Sequence, residues 1–171
     1  MQVVVALGGN LGDRAAALRR AREALAADPA ITILDASPVY ETEPLVLPGA
    51  PSQPRYFNAA LLLETTLDPE DLLQRCLAIE QQLGRVRRER WGARTLDLDL
   101  LYAESAGEPV TCRSASLTLP HPHLEERAFA LAPLLDVRPD LAGRLGEALI
   151  RAGGRPERIP VEGWTSSFRR K

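Results

Sequence analysis

The stretch TLDLDLLY, residues 95–102, decides how this chain folds. Leu96, Leu98 and Leu100 alternate with Asp97 and Asp99, and a period of two marks a β-strand with one buried face. The spacing predicts a strand over 96–102. Alternation sends both carboxylates to one side, with α-carbons about 6.5–7 Å apart. Like charges that close suppress each other's ionisation unless cations compensate. Just upstream, RVRRERWGAR (85–94) brings Arg85, Arg87, Arg88, Arg90 and Arg94 together around Trp91.

Working outward, the element before that basic loop is a helix. Asp68-Pro69-Glu70-Asp71 combines a capping residue, proline in the first turn and acidic residues at the positive end of the helix dipole. Leu72, Leu73, Cys76, Leu77 and Leu83 form its apolar stripe, and Gly84 ends it. Further back, 56–65 (YFNAALLLET) is a predicted strand, and TEPLVLPGAPSQPR (42–55) is a long proline-rich loop. Residues 31–40 are extended, with Pro38 making part of that segment an edge. At the start, 2–7 (QVVVAL) forms a strand. Gly8-Gly9-Asn10 turns it into a helix over about 12–27, with Leu11, Leu18, Ala21 and Leu25 as the apolar stripe.

The order is β-α-β-β-α-β, the split βαβ pattern of a ferredoxin-like α+β sandwich with helices packed on an antiparallel sheet. After it come the loop LPHPH, C-terminal helical additions at about 125–135 and 143–151, and a tail rich in glycine and proline. No internal repeat or second domain is evident, so residues 1–171 are expected to form one domain. In the tail, Trp164 is expected to pack.

The chain has 171 residues, 45% of them apolar and 26% charged, the balance of a globular protein. A formal net charge of −2 gives no global pull toward nucleic acid, so any polyanion must meet a local cluster. No apolar run approaches the roughly 20 residues of a membrane span, and the first ten residues lack the pattern of a signal peptide. Cys76 and Cys112 have no metal-site spacing, and a reducing cytoplasm is the expected setting.

Several residue types carry chemistry. Asp97 and Asp99 beside an arginine cluster suit a hard cation bound to phosphate oxygens, since Mg²⁺ takes one or two protein carboxylates. The arginines suit phosphate, which guanidinium binds bidentately. His121-x-His123 lacks a third ligand at metal-like spacing. Glu80 shares the apolar side of its helix near the C-terminus, where it either lies at the edge or reaches a ligand. GGNLGD (8–13) matches neither nucleotide-loop pattern, so tight strand-to-helix turning explains it best.

The run RWGARTLDLDLL (90–101) closely resembles the signature of the 6-hydroxymethyl-7,8-dihydropterin pyrophosphokinases of folate biosynthesis. VALGGNLGD, SPVYETEPL, YFNAAL, EQQLGRVR and LTLPHPHLEERAFALAPL agree in order, so the resemblance spans about 3–137. It implies a ferredoxin-like sandwich that transfers the terminal diphosphate of ATP to the pterin hydroxymethyl group and leaves AMP. It further implies catalytic positions at Arg85, Arg94, Asp97 and Asp99, the two aspartates also holding two Mg²⁺ ions. Glu80, Arg87, Trp91, Thr118, His121 and Arg127 correspond to nucleotide-binding positions. Thr42, Leu45, Tyr56, Asn58 and Phe129 correspond to pterin-binding ones, Tyr56 and Phe129 as the rings that sandwich the heterocycle. Nucleic acid and membrane are not expected partners, and a monomer is. Ser116 and His123 depart from residues common at those positions, and the tail 152–171 has no implied role. Two other classes compete: a ferredoxin-like RNA-binding module, which the acidic pair disfavours, and a metal-dependent phosphodiesterase, which lacks an evident water-activating group.

Overall fold

The computed structural model describes residues 1–44, 52–84 and 94–164. Its main sheet is built from β1 (Gln2–Gly9), β2 (Ile31–Ala36), β3 (Val39–Thr42), β4 (Tyr56–Thr65) and β5 (Asp97–Ser105). Helices α1 (Arg14–Ala26) and α2 (Pro69–Gln82) fall between them in the expected order. Three short strands follow: β6 (Glu108–Pro109), β7 (Cys112–Arg113) and β8 (Thr118–Leu119). Then come α3 (Ala128–Val137), α4 (Ala142–Arg151) and β9 (Glu157–Ile159). The sheet runs β6-β5-β1-β4-β3-β9, β2 also pairs with β4, and every pairing is antiparallel.

Alternation along β1 assigns its residues to two cores. Val3, Val5 and Leu7 face α1 and α2 together with Leu61, Leu63, Leu98 and Leu100. Val4 faces α3 and α4 together with Tyr40, Ala60 and Leu62. The C-terminal helices therefore cover the second face of the sheet and complete a helix–sheet–helix sandwich. No described helix is long and apolar enough to cross a membrane.

The cap of α2 is as the sequence requires: the Asp68 carboxylate accepts from the Asp71 N–H at 2.9 Å, and Pro69 opens the helix. Other expectations need correction. The extended segment 31–40 is two strands, because Ser37-Pro38 breaks it. Ser37 bonds β4 through both its N–H and its hydroxyl at 2.9 Å, where Pro38 has no donor to offer. Helix α1 starts at Arg14, capped by Asp13, and Leu11 precedes it with 38% of its surface exposed. On α2, Ile79 and Glu80 take the buried positions with Leu72 and Cys76, and Leu77 is only half-buried. The helix expected from residue 125 begins at Ala128, after a 3₁₀ turn over Leu124–Glu126. Trp164 packs as expected: it is 1% exposed and its Nε1–H donates to the Ser37 carbonyl at 2.7 Å.

Candidate functional site

Register builds the site across one end of the sheet. Gly8 on β1 lies opposite Asp97 on β5 and Asn58 on β4, and Asn58 in turn lies opposite Tyr40 on β3. One step inward, Ala6 separates Asp99 from Ala60. All these residues share the face that α3 covers farther along, so the sheet end has small residues in its middle and larger polar side chains on both sides. Strands about 4.8 Å apart place the carboxylate wall and the amide wall roughly 10 Å from each other. The cleft between these walls has a volume of about 340 Å³ and is lined by Ala6 and Gly8 of β1 and by Arg127 and Phe129. Tyr56, Thr42 and Arg94 complete its lining, and His123 and Glu43 also face it.

Glycine at position 8 leaves room for the Asn58 amide. A Cβ there would come 3.1 Å from the Asn58 Oδ1, whose amide Nδ2 donates to the Thr42 hydroxyl at 2.8 Å. At Gly9 a Cβ would lie 2.4 Å from the Thr95 carbonyl oxygen, a backbone atom that cannot step aside. The turn thus lets β1 approach the chain entering β5. Asn10, only 2% exposed, then joins two segments. Its N–H donates to the Arg94 carbonyl at 2.9 Å, and its Oδ1 accepts from the Arg94 N–H at 2.8 Å. Its Nδ2 donates to the Pro54 carbonyl at 3.1 Å and to Gln53 at 3.2 Å. Sequence reading assigned GGN only to turning. The missed signal was an asparagine after two glycines, with amide donors and acceptors for two flanking loops.

The carboxylate wall is electrostatically loaded. Arg94 pairs with Asp97. Burial, then the charges of Asp97 and Glu80, push the Asp99 carboxyl up to about 7, against the opposing pull of Arg94 and Arg127. Glu80 is 1% exposed and lies on the opposite face of the sheet, where its Oε1 accepts the Leu98 N–H at 2.6 Å. It thereby fixes the residue between the two aspartates. The same burial, with Glu80 and Asp99, raises the Cys76 thiol to about 12, so it stays protonated.

The structure brings Thr42, Tyr56, Asn58, Arg94, Asp97, Asp99, Arg127 and Phe129 to one cavity. Thr118 stands apart, exposed on the β7–β8 ribbon. His121 borders a neighbouring cleft with Tyr102, Leu124 and Leu145. Burial, then Arg127 and His123, lower its ring to about 4, leaving it neutral near pH 7. His123 faces the main cavity and bonds Glu126 at 3.0 Å. Leu45, Arg85, Arg87 and Trp91 lie outside the described residues. Among the described residues, no group of three or more His, Cys, Asp or Glu side chains is placed to hold a metal ion without other ligands.

The fold and site define a class: α+β sandwiches of split βαβ order whose sheet end carries an acidic pair across from an aromatic and amide pocket. The chain belongs to the 7,8-dihydro-6-hydroxymethylpterin-pyrophosphokinase (HPPK) family, whose sequence model matches residues 4–139. It is 45% identical over 135 residues to the 2-amino-4-hydroxy-6-hydroxymethyldihydropteridine pyrophosphokinase of Methylorubrum extorquens, covering 79% of this chain and 81% of that one. The enzyme of the same name from Bacillus subtilis is 40% identical over 133 residues, covering 78% and 75%. Among solved structures, Plasmodium falciparum HPPK-DHPS with SDX-DHP superposes with a TM-score of 0.55 at 14% identity. An HPPK-DHPS in complex with substrates gives 0.57 at 13%. At those identities the likeness is one of fold. Each superposition covers 81% of this chain but only 40% and 42% of the solved one.

Proposed function

We propose that this chain transfers the terminal diphosphate of ATP to the hydroxymethyl group of 6-hydroxymethyl-7,8-dihydropterin, a step of folate biosynthesis. The hydroxymethyl oxygen attacks the β-phosphorus, the bond from that phosphorus to the α–β bridging oxygen breaks, AMP departs and the hydroxyl proton is released. One observation carries the reading: a single cavity divided at Gly8 into a carboxylate side and an aromatic–amide side. A phosphoryl chain with cations suits the first, and a flat heterocycle with a donor–acceptor edge suits the second.

On the heterocycle side, Tyr56 and Phe129 stack on the rings while Asn58, held by Thr42, reads the edge. Leu45 joins them by resemblance alone. On the phosphate side, Arg94 and Arg127 balance the transferring charge, since phosphoryl transfer depends mainly on positioning and electrostatics. Arg85 is assigned the same task, and Arg87 and Trp91 the nucleotide, by resemblance alone. Thr118 and His121 are assigned to the outer nucleotide, and Glu80 serves that side by holding Leu98.

The carboxylate wall fits Mg²⁺. Burial, then the charges of Asp97 and of Glu80 from the other face of the sheet, push the Asp99 carboxyl up to about 7, a condition that a hard dication relieves. Two protein carboxylates, with phosphate and water completing the shell, suit Mg²⁺. Asp97 and Asp99 are the residues that would hold it, as two ions, and bound there it would neutralise the phosphate charge and orient the chain. The whole chain, 1–171, acts in this reading as one domain, monomeric and cytoplasmic.

The test measures AMP formed from MgATP with and without the pterin. AMP that depends on the pterin and disappears with EDTA is expected. AMP formed equally without pterin would make the protein a hydrolase, and no AMP in either case would overturn the reading.

A further inference from the structure

Residues 155–164 lie outside the stretch that matches the family, yet they grip the strand that carries part of the proposed pterin pocket. Strand β3 is only four residues long. On one side it pairs with β4, placing Tyr40 opposite Asn58 and Thr42 opposite Tyr56. Its other side would be an open sheet edge, and β9 covers it, with Val39 opposite Ile159, Tyr40 opposite Arg158 and Glu41 opposite Glu157.

The tail also holds both faces of that edge. On the α3 face, the buried Tyr40 hydroxyl donates to Asp136 Oδ2 at 2.6 Å. Arg155 donates to the same hydroxyl oxygen at 3.0 Å and to Asp136 Oδ1 at 2.8 Å. Arg158 repeats both contacts at 3.0 and 2.8 Å. On the α1 face, Trp164 is buried and bonds the Ser37 carbonyl, two residues before β3. Arg19 and Arg22 fasten the carbonyls of Glu162 and Gly163 at 3.1 and 2.8 Å. A strand this short, paired on one side only, would slip or fray, and register errors turn side chains to the wrong face.

We propose that the tail segment 155–164 is a positioning element for the pterin side of the cavity. It fixes the register of β3 and with it the Thr42–Asn58 pair, through the Tyr40–Asp136 hub and its two arginines. Tyr40, Asp136, Arg155, Arg158 and Trp164 do not line that cavity. The carboxylate wall, on β5 across the sheet, does not depend on them. This inference rests on the pterin reading above.

The experiment compares wild type, Arg155→Ala/Arg158→Ala, Arg158→Lys and Tyr40→Phe. Titrations of the pterin in the presence of a non-hydrolysable MgATP analogue, and of that analogue alone, are paired with hydrogen exchange at the β3 amides. The double alanine variant is expected to bind the pterin about tenfold more weakly, to bind the nucleotide unchanged and to exchange its β3 amides faster. Tyr40→Phe, which keeps the ring, is expected to show a smaller selective loss, and Arg158→Lys to recover most of the affinity. Wild type that fails to bind the pterin would sink the functional reading itself. Wild type that binds, beside variants with unchanged pterin affinity or with equal losses of both ligands, would overturn the tail's role.

Discussion

Glu80 is expected to matter for the shape of the acidic site through its hydrogen bond to Leu98. Its buried Oε1 accepts the Leu98 N–H at 2.6 Å, and Leu98 sits between the two aspartates. Glu80→Ala leaves that N–H without its partner in a closed environment, a loss of about 1–3 kcal/mol. Removing a buried charge near Asp99 works in the opposite direction, because Glu80 is one of the groups that hold the Asp99 proton in place. The cost of the unmade bond and the gap left behind exceed that relief, so the net loss is about 2 kcal/mol, or roughly 4–8 °C in Tm for a chain of this size. Glu80→Gln keeps an acceptor oxygen while shedding the charge, so its stability should stay within about 1 kcal/mol of wild type. In both variants the Asp99 carboxyl should move down toward the ordinary range. Urea denaturation at pH 7 gives the stabilities, and carboxyl carbon NMR follows Asp99. Equal stabilities for the two variants, or an alanine variant within about 0.5 kcal/mol of wild type, would refute the assignment of that bond.

The folded Asp99 carboxyl titrates above its unfolded value of 3.8, near 7, so its favourable contribution is complete below about pH 4 and is lost as pH rises toward 7. A dication needs the ionised form, so Mg²⁺-dependent nucleotide affinity should fall as pH drops from about 8 to 6, and calorimetry showing a flat profile would contradict the site. Gly9→Ala would force a methyl group to 2.4 Å from the Thr95 carbonyl and should destabilise the fold by about 2 kcal/mol or more in denaturation, so a native-like midpoint would count against the close approach. Gly8→Ala meets only the Asn58 side chain, at 3.1 Å, and should keep the fold while weakening pterin binding several-fold in titrations. In thiol labelling of the native protein, Cys112 should react and Cys76, buried and protonated, should not until denaturant is added.

Local signals made most of the fold legible. The Asp68-Pro69 start of α2, the alternation at Asp97 and Asp99 and the order of elements each depend on neighbours within one turn or one strand. What escaped was set by contacts far along the chain. Ser37-Pro38 splits an extended run because Ser37 bonds Ala60, 23 residues away. Leu11 satisfies a helical period yet falls before the cap that Asp13 supplies. The strand β9 is three residues long and pairs with β3, more than a hundred residues earlier in the chain, so no local periodicity announces it. At the site, the aspartates and aromatics were visible as residue types in suggestive places. Gly8, Gly9 and Asn10 were not, since their importance comes from what they leave room for and from bonds to Arg94 and Pro54 across the fold.

Under the proposed function, this division would let one sheet end hold two chemistries that would interfere if mixed. An aromatic pocket gains from exclusion of water, whereas an acidic pair needs compensating cations at hand. Placing them on β4–β3 and on β5, with β1 between, separates them by two strand spacings while keeping them in one cavity. The strand between must then contribute almost nothing at that level, which is why its residues there are Ala6 and Gly8. Each wall is in turn braced from outside the cavity. Glu80 secures β5 from the face beneath, and the tail secures β3 from the sheet edge. If the bracing were shared, damage to either brace would loosen both walls together. Because the braces attach to different strands, each should fail separately, the Glu80 variants on the acidic side and the Arg155/Arg158 variants on the aromatic side.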